Sequence, residues 1–97
     1  MAYVTGGIKK VDQNQLEIVK CLEANGCTVL NLSALGQSVP DLLVARHGMQ
    51  HLVEIKSTKG KLTEKQEVWL SKWNCPVYVL RSVEETLQWL GNIKDLR

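Results

Sequence analysis

Two short stretches decide the fold of this chain: Val39-Pro40-Asp41-Leu42-Leu43-Val44 and Leu52-Val53-Glu54-Ile55-Lys56. Each is an apolar run of strand length with charged residues at one end. The intervening His47-Gly48-Met49-Gln50 predicts a turn, so we expect the two runs to pair as a hairpin. Side chains alternate in direction along a strand, which puts Glu54 and Lys56 on the same face of the second strand.

The patterns around this hairpin predict an α/β fold, with a mixed central sheet flanked by helices. The whole chain, 1–97, is expected to form one domain, with a loose arm at 1–11 and a frayed tail at 92–97. The unbroken apolar run Leu42-Leu43-Val44-Ala45 favours a strand that is buried on both faces. The predicted order is helix, three strands, helix, strand, helix, over residues 12–25, 27–32, 42–45, 52–56, 63–74, 77–80 and 82–91.

The ends of the first two helices carry recognisable signals. Asp12 with Gln15, and Thr63 with Gln66, have the spacing of a capping box, in which two side chains at a helix start bond each other's backbone N–H groups. Gly26 predicts the left-handed residue that ends the first helix. These signals give the helices definite starting points before any tertiary contact is considered.

The aromatic and imidazole side chains indicate no chemistry of their own. Trp69, Trp73 and Trp89 have helical spacing, so we interpret them as core or interface residues, with base stacking as the alternative. His47 and His51 flank the predicted turn and are expected to be half-exposed turn residues, because the further ligands of a zinc site are missing.

Composition limits the classes of partner and compartment. The net charge of +2 is compatible with a nucleic-acid partner without requiring one. Three cysteines with no C-x-x-C pair argue against a disulfide framework and favour a reducing cytoplasm. No apolar run reaches the roughly 18 residues that span a bilayer, and the first ten residues lack the apolar stretch of a signal peptide.

Asp41 and Glu54 are the candidate metal ligands. Asp41 begins one strand and Glu54 nearly ends the next, so the hairpin brings their carboxylates close together. Two carboxylates near a backbone carbonyl suit a hard cation, Mg²⁺ or Mn²⁺, and Lys56 beside them can position water or stabilise charge on a phosphate. The alternative is a surface Glu54–Lys56 salt bridge and a Pro-Asp turn. The combination favours metal-assisted hydrolysis of a phosphodiester.

Together with Leu62-Thr63-Glu64-Lys65-Gln66, these stretches resemble the PD-(D/E)xK nuclease superfamily. The likeness is strongest to the virus-type replication–repair nuclease (VRR-NUC) domain, including small phage-type members, with kinship to Holliday-junction resolvases. It runs from about Asp12 to Leu80 and implies a restriction-endonuclease-like αβββαβ core with an added C-terminal helix. It also implies a Mg²⁺- or Mn²⁺-dependent deoxyribonuclease acting on branched or four-way-junction DNA in a bacterial or phage-infected cell.

The resemblance assigns a role to each residue that matches the family's motifs. Asp41 would be the first metal ligand, Glu54 the second, and the main-chain carbonyl of Ile55 the third. Lys56 would orient or activate the attacking water. Gln66 would reach from the second helix towards the metal site or the scissile phosphate, and its capping-box role stays open beside this one.

The first helix departs from the family pattern. The family usually has a Glu eleven residues before the Gly that ends this helix, and counting back from Gly26 leads to Gln15. An amide can hold a water molecule but cannot supply a carboxylate. Glu17 is the nearby alternative, although the helical angle directs it away from the apolar stripe that contains Gln15.

Positive charge is concentrated after the Glu-x-Lys motif. We expect these side chains to contact phosphates, with a solvated surface as the alternative because glutamates interleave. The lysines concerned are Lys56, Lys59, Lys61 and Lys65.

Assembly and activity are the remaining expectations. Cutting both DNA strands needs two active sites, so a homodimer with Trp or apolar surface at its interface is expected. The competing hypotheses are a nucleic-acid-binding module that kept the fold and lost catalysis, with Gln15 as the first sign, and a small interaction protein. The presence of Asp41, Glu54 and Lys56 favours activity over both.

Overall fold

The computed structural model describes residues 13–93 as a four-stranded mixed sheet with helices on both faces, which confirms the predicted α/β fold. The predicted arm at 1–11, the cap at Asp12 and residues 94–97 of the predicted tail lie outside the described residues. No helix within the described range is long and apolar enough to cross a membrane. In chain order the elements are α1 (Gln13–Ala24), β1 (Thr28–Asn31), a 3-10 turn (Ser33–Leu35), β2 (Leu42–Arg46), β3 (Met49–Ile55), α2 (Glu64–Lys72), β4 (Val77–Leu80) and α3 (Val83–Asn92).

The strands lie side by side in chain order, β1-β2-β3-β4. The first two pairings are antiparallel and the β3–β4 pairing is parallel, so α2 lies in the crossover between β3 and β4. The β2–β3 turn has only two residues, His47 and Gly48, with φ of 48° and 83°. Positive φ at both positions matches the type I′ turn of tight hairpins. The resulting register pairs Leu42 with Val53, which puts Asp41 beside Glu54 one position further along.

One face of the sheet carries the hydrophobic core. Helix α1 contributes Ile18, Val19 and Leu22, each at most 2% exposed, and Gly26 ends this helix with the positive φ (85°) expected of a left-handed stop. Helix α3 covers the same face, since Trp89 packs against side chains of β3 and β4. The buried core is completed by Cys27, Val29, Leu42, Val44, Val53, Ile55, Leu80, Trp89 and Leu90.

The opposite face of the sheet is covered much less completely. Helix α2 lies on this side, because its Gln66 reaches Glu54, yet none of its side chains is buried. Leu43 and Ala45 of β2 point to this face and are half-buried, whereas Leu42 and Val44 on the core face are fully buried. The expectation that β2 is buried on both faces is therefore wrong, because among residues 13–93 only the short helix α2 covers the second face.

The expectation about His51 needs correction. His51 is a buried residue of β3, where its ring meets those of Tyr78 and Trp89 edge-on at 5.8 and 5.3 Å, and only His47 lies in the turn. Of the tryptophans expected in a core or an interface, Trp89 belongs to the core. Trp73 is 46% exposed and lies outside the core of this chain, and an interface role for it stays a prediction.

Candidate active site

Asp41 is held at the point where its strand meets β3. It immediately precedes β2, and its Oδ2 accepts a hydrogen bond from the Ile55 backbone N–H at 2.8 Å. Ordinary β pairing does not extend to this position, so the carboxylate occupies the place where a strand carbonyl would accept that N–H. This bond fixes the half-buried carboxylate against the end of β3.

Glu54 is the buried acid of the cluster, with only 5% of its surface exposed. Its burial, and then the nearby Asp41 carboxylate, raise the pKa of Glu54 from 4.5 to about 7, against the lowering effect of the Lys56 ammonium group and of a hydrogen bond to the Asp41 backbone. A carboxylate that is destabilised by a second carboxylate has an electrostatic reason to bind a cation.

Lys56 leaves the strand on the same side as Glu54, as the alternation of side chains predicts. Its Nζ lies 3.6 Å from Glu54 Oε2, and its side chain is 17% exposed. The pair is therefore an ion pair at the margin of the site and not a solvated surface pair. The ammonium group is partly open to solvent, so a phosphate group can approach it.

Gln66 makes both of the contacts that the sequence left as alternatives. Its Oε1 accepts from the Thr63 N–H at 2.9 Å while Thr63 Oγ1 accepts from the Gln66 N–H at 3.1 Å, which completes the capping box. Its Nε2 meanwhile donates to Glu54 Oε2 at 2.8 Å. Because an amide has an acceptor oxygen and a donor nitrogen, the one side chain of Gln66 can cap the start of α2 and also hydrogen-bond Glu54.

A carboxylate pair, a lysine and a glutamine thus converge at the ends of β2 and β3 on the lightly covered face. The VRR-NUC domain family model matches this chain over residues 3–84. The chain belongs to the VRR-NUC domain family. It is similar to a solved VRR-NUC domain structure with 26% identity and a TM-score of 0.67, over 84% of this chain and 95% of the other. No match was found among curated proteins.

VRR-NUC domains are nuclease-type domains, so their donor set can be compared with the needs of a catalytic cation. Asp41 and Glu54 would supply carboxylate oxygens, and the Ile55 carbonyl is expected on the Asp41 side of β3, because the N–H and C=O of one strand residue point the same way and the Ile55 N–H bonds Asp41. This all-oxygen set fits Mg²⁺ or Mn²⁺, which retain water molecules among their ligands. Residues 13–93 contain no cluster of three or more His, Cys, Asp or Glu that would form a complete protein cage.

Gln15 and Glu17 occupy different sides of α1. Gln15 is half-buried and lies on the same stripe as the buried Ile18 and Leu22, as predicted. Glu17 is exposed and accepts a hydrogen bond from the Gln13 side chain at 3.3 Å. Helix α1 covers the core face, whereas Glu54 points to the other face, and the bonds of Asn14 to the Lys56 and Arg81 carbonyls place the start of α1 at the ends of β3 and β4. Its active-site role stays a prediction.

Asn14 and Arg81 support the site and were missed by the sequence analysis. Asn14 Nδ2 donates to the backbone carbonyls of Lys56 and Arg81, at 3.0 and 3.1 Å. The Arg81 guanidinium group donates to the carbonyls of Ser57 and Gly60, in the loop that follows Lys56. These bonds join residues 21 to 67 positions apart, and no local pattern signals them.

The remaining lysines of the predicted phosphate-binding group lie on the outer surface. Lys59 and Lys61 are exposed in the loop after β3, and Lys65 is exposed in the first turn of α2. Their side chains are accessible to a polyanion that approaches the lightly covered face. Contact with phosphates remains a prediction for all three.

Proposed function

We propose that this VRR-NUC domain is a Mg²⁺- or Mn²⁺-dependent endonuclease that hydrolyses DNA phosphodiesters, with branched or four-way-junction DNA as its substrate and a homodimer as its working form. The observation that carries the proposal is the convergence of Asp41, Glu54 and Lys56 through the β2–β3 register. The Asp41–Ile55 bond of 2.8 Å supports it, because this bond holds the Asp41 carboxylate at the end of β3. The raised pKa of Glu54 supports it too, because its causes are burial and then the nearby Asp41 carboxylate.

In this proposal Asp41, Glu54 and the Ile55 carbonyl would hold the cation, and the chemistry it would supply when bound is activation of water and neutralisation of charge on the phosphate. Lys56, 3.6 Å from Glu54, stabilises negative charge that develops on the phosphate or orients the attacking water. Gln66 holds one oxygen of Glu54 and so orients this carboxylate. The exposed Lys59, Lys61 and Lys65 contribute affinity that does not depend on DNA sequence.

The acidic pair is tested by Asp41→Asn and Glu54→Gln, which remove a charge with little change in shape. We expect either variant to lower the single-turnover cleavage rate with Mg²⁺ by about 10²–10³-fold or more while the protein stays folded. Mn²⁺ should raise the Tm of the wild type and not of the variants. The matched control is Glu84→Gln, an exposed acid on α3. Wild-type turnover in Asp41→Asn would refute the assignment.

Lys56→Gln tests the catalytic role of the lysine against a structural one. Loss of charge stabilisation in the transition state should lower the cleavage rate far more than it weakens DNA binding. Lys20→Gln is the control, because Lys20 is an exposed lysine of α1 outside the predicted phosphate-binding group. A purely structural Lys56 would instead lower stability and leave the rate per folded molecule unchanged.

A homodimer would supply the second active site needed to cut both strands. Exposed apolar side chains at Leu30 of β1 and Leu35 of the 3-10 turn, 51% and 62% exposed, offer surface for a second copy to cover. Sedimentation across a range of concentrations tests this assembly, and Leu35→Glu should shift it towards the monomer. A monomer at all concentrations that still cuts both strands of a junction would refute the dimer.

The alternative is a nucleic-acid-binding module that has lost catalysis. The observation in its favour is Gln15, an amide where the family usually has a glutamate. Such a module would bind branched DNA with an affinity similar to that of the proposed enzyme. It would leave every substrate uncleaved with both Mg²⁺ and Mn²⁺. The cleavage assay on duplex, single-stranded, flap and four-way substrates therefore separates the two functions directly.

A further inference from the structure

An open pocket of about 600 Å³ lies beside the candidate active site, between the outer side of α2 and the loop that leads to Asp41. Gln37 and Ser38 form the loop wall, and the α2 wall includes Lys65, Trp69 and Lys72. Gln37 and Ser38 both have positive φ, 56° and 66°, a conformation that side chains other than Gly rarely adopt. The loop is thus held in an unusual shape where it faces the indole of Trp69.

Trp69 supplies the aromatic wall of the pocket and is half-buried. Its ring stacks on that of Trp73, with ring centroids 4.9 Å apart and an interplanar angle of 18°. Val68, which also lines the pocket, is 49% exposed, and Trp73 is 46% exposed. Exposed apolar side chains grouped on one short helix favour a binding surface.

Three charged residues border the pocket, the lysines Lys65 and Lys72 and the glutamate Glu64, which leaves one net positive charge. Lys65 and Lys72 lie four residues before and three residues after Trp69, which places both on the Trp69 side of the helix. An aromatic ring between two ammonium groups matches the chemistry of a nucleotide, whose base stacks on the indole and whose phosphates meet the lysines. Lysine is depleted in protein–protein interfaces, so these charges favour a nucleic-acid occupant over a second copy of the chain.

Both walls of the pocket continue into the candidate active site. Ser38 precedes Asp41 by three residues, a span of at most roughly 10 Å of extended chain. On the other wall, Gln66 of α2 donates to Glu54 at 2.8 Å. A nucleotide in the pocket and a phosphate at the carboxylate pair would therefore be close neighbours on one strand.

We propose that this pocket binds an unpaired nucleobase of the substrate strand by stacking on Trp69, with Lys65 and Lys72 holding the adjoining phosphates. The base must be unpaired because, inside a duplex, both of its faces are covered by neighbouring bases. The inference rests on the proposed nuclease function and narrows its substrate to DNA with a single-stranded stretch beside the cut, such as a flap, a gap or an open junction.

The test measures binding without cleavage, using the full chain in EDTA and a short oligodeoxythymidylate. Binding to the wild type should quench indole fluorescence, and Trp69→Leu, which keeps an apolar side chain without a stacking face, should bind roughly 10- to 100-fold more weakly. Affinity for a blunt duplex should change far less.

Leu87→Ala is the control, since Leu87 is 50% exposed on α3, on the other side of the sheet. Lys72→Gln should reduce the salt dependence of single-strand binding by about 0.7 in log–log slope.

Equal affinity of Trp69→Leu and wild type for the oligonucleotide overturns the inference. So does a change from dimer to monomer in Trp69→Leu with DNA binding per protomer unchanged, because this face would then be an interface between copies. A second variant, Trp69→Ala, and circular dichroism of both variants establish whether a loss of oligonucleotide binding comes from the missing ring or from unfolding.

If both wild type and Trp69→Leu cleave flaps with the same KM, the proposed function stands and the pocket assignment falls. If Asp41→Asn still cleaves, the active-site assignment falls while the binding result in EDTA still decides the pocket.

Discussion

The two faces of the central sheet differ in cover and in chemistry. On one face α1 and α3 pack over Leu42 and Val53, which are fully buried. On the other face the acidic pair and Lys56 lie under α2, a helix that buries none of its own side chains. The same two strands therefore supply both the stability and the candidate chemistry of the domain.

The difference teaches how a small domain combines a core with a charged site. Because successive strand residues point to opposite faces, Val53 and Ile55 can be buried in the core while Glu54 between them joins an acidic cluster. The charged side chains of the site therefore lie outside the core, although the strands that carry them are packed against it. Substitutions on the two faces should accordingly separate stability from activity.

The largest stability effect is expected for Leu42→Ala on the core face. Leu42 is completely buried, so truncation leaves a cavity and should lower the free energy of unfolding by about 2–5 kcal/mol. The matched control is Leu87→Ala, because Leu87 is 50% exposed on α3 and its truncation should cost under about 0.5 kcal/mol. Urea unfolding measures both. A reduced cleavage rate per folded molecule in Leu42→Ala would show that the faces are not separable.

Glu54→Gln should stabilise the metal-free protein at high pH while it removes activity. The pKa of Glu54 is about 7 in the folded chain against an ordinary 4.5, so between these values the folded state holds a proton that the unfolded state has lost. The free energy of unfolding from this group therefore falls as pH rises from about 4.5 to 7. At pH 8 the variant should gain at most about 3 kcal/mol. Urea unfolding at pH 5 and pH 8 without divalent cations, beside Glu17→Gln, measures it, and an unchanged pH slope in Glu54→Gln would contradict the prediction.

Asn14→Ala tests the hydrogen bonds that join α1 to the ends of β3 and β4. The Asn14 amide donates to the carbonyls of Lys56 and Arg81, and the loss of this donor should lower the free energy of unfolding by about 1–2 kcal/mol. A few-fold slower cleavage should accompany it, because the backbone of Lys56 loses a support. Gln13→Ala, an exposed neighbour on the same helix, is the control. Identical behaviour of the two variants would mean that Asn14 positions nothing.

The smallest effects are expected at Gln15, where the chain leaves its family pattern. If its amide orients a water molecule at the site, Gln15→Ala should slow cleavage a few-fold and Gln15→Glu should lower the Mg²⁺ concentration needed for half-maximal rate. Glu17→Ala should change neither, since Glu17 is exposed. The measurement is the Mg²⁺ dependence of the single-turnover rate. Loss of activity in Glu17→Ala, with normal Gln15 variants, would make Glu17 the missing acid.

Local signals in the sequence were enough to predict the elements and the hairpin that forms the site. The capping box of Thr63 and Gln66 and the left-handed stop at Gly26 depend only on neighbours within four residues, and both are confirmed. Alternation in the Glu-x-Lys motif likewise predicted that Glu54 and Lys56 share a face, and their 3.6 Å contact agrees. These features follow from backbone geometry, which acts over short stretches of chain.

Tertiary structure alone decided which layer covers each face. A hydrophobic period indicates which residues share a side, but not whether that side meets a core, a partner or water, so it could not predict that Trp73 is 46% exposed and lies outside the core of this chain. In the same way His51 is buried only because Tyr78 and Trp89, distant in sequence, close over it. The second contact of Gln66, its bond to Glu54, and the two bonds of Asn14 also join elements far apart in the chain. The sequence by itself determined the strands, the helix ends and the order of the candidate site residues, because these depend on local periodicity. The packing of α1, α2 and α3 on the sheet determined burial, the raised pKa of Glu54 and the open pocket at Trp69, because these depend on long-range contacts.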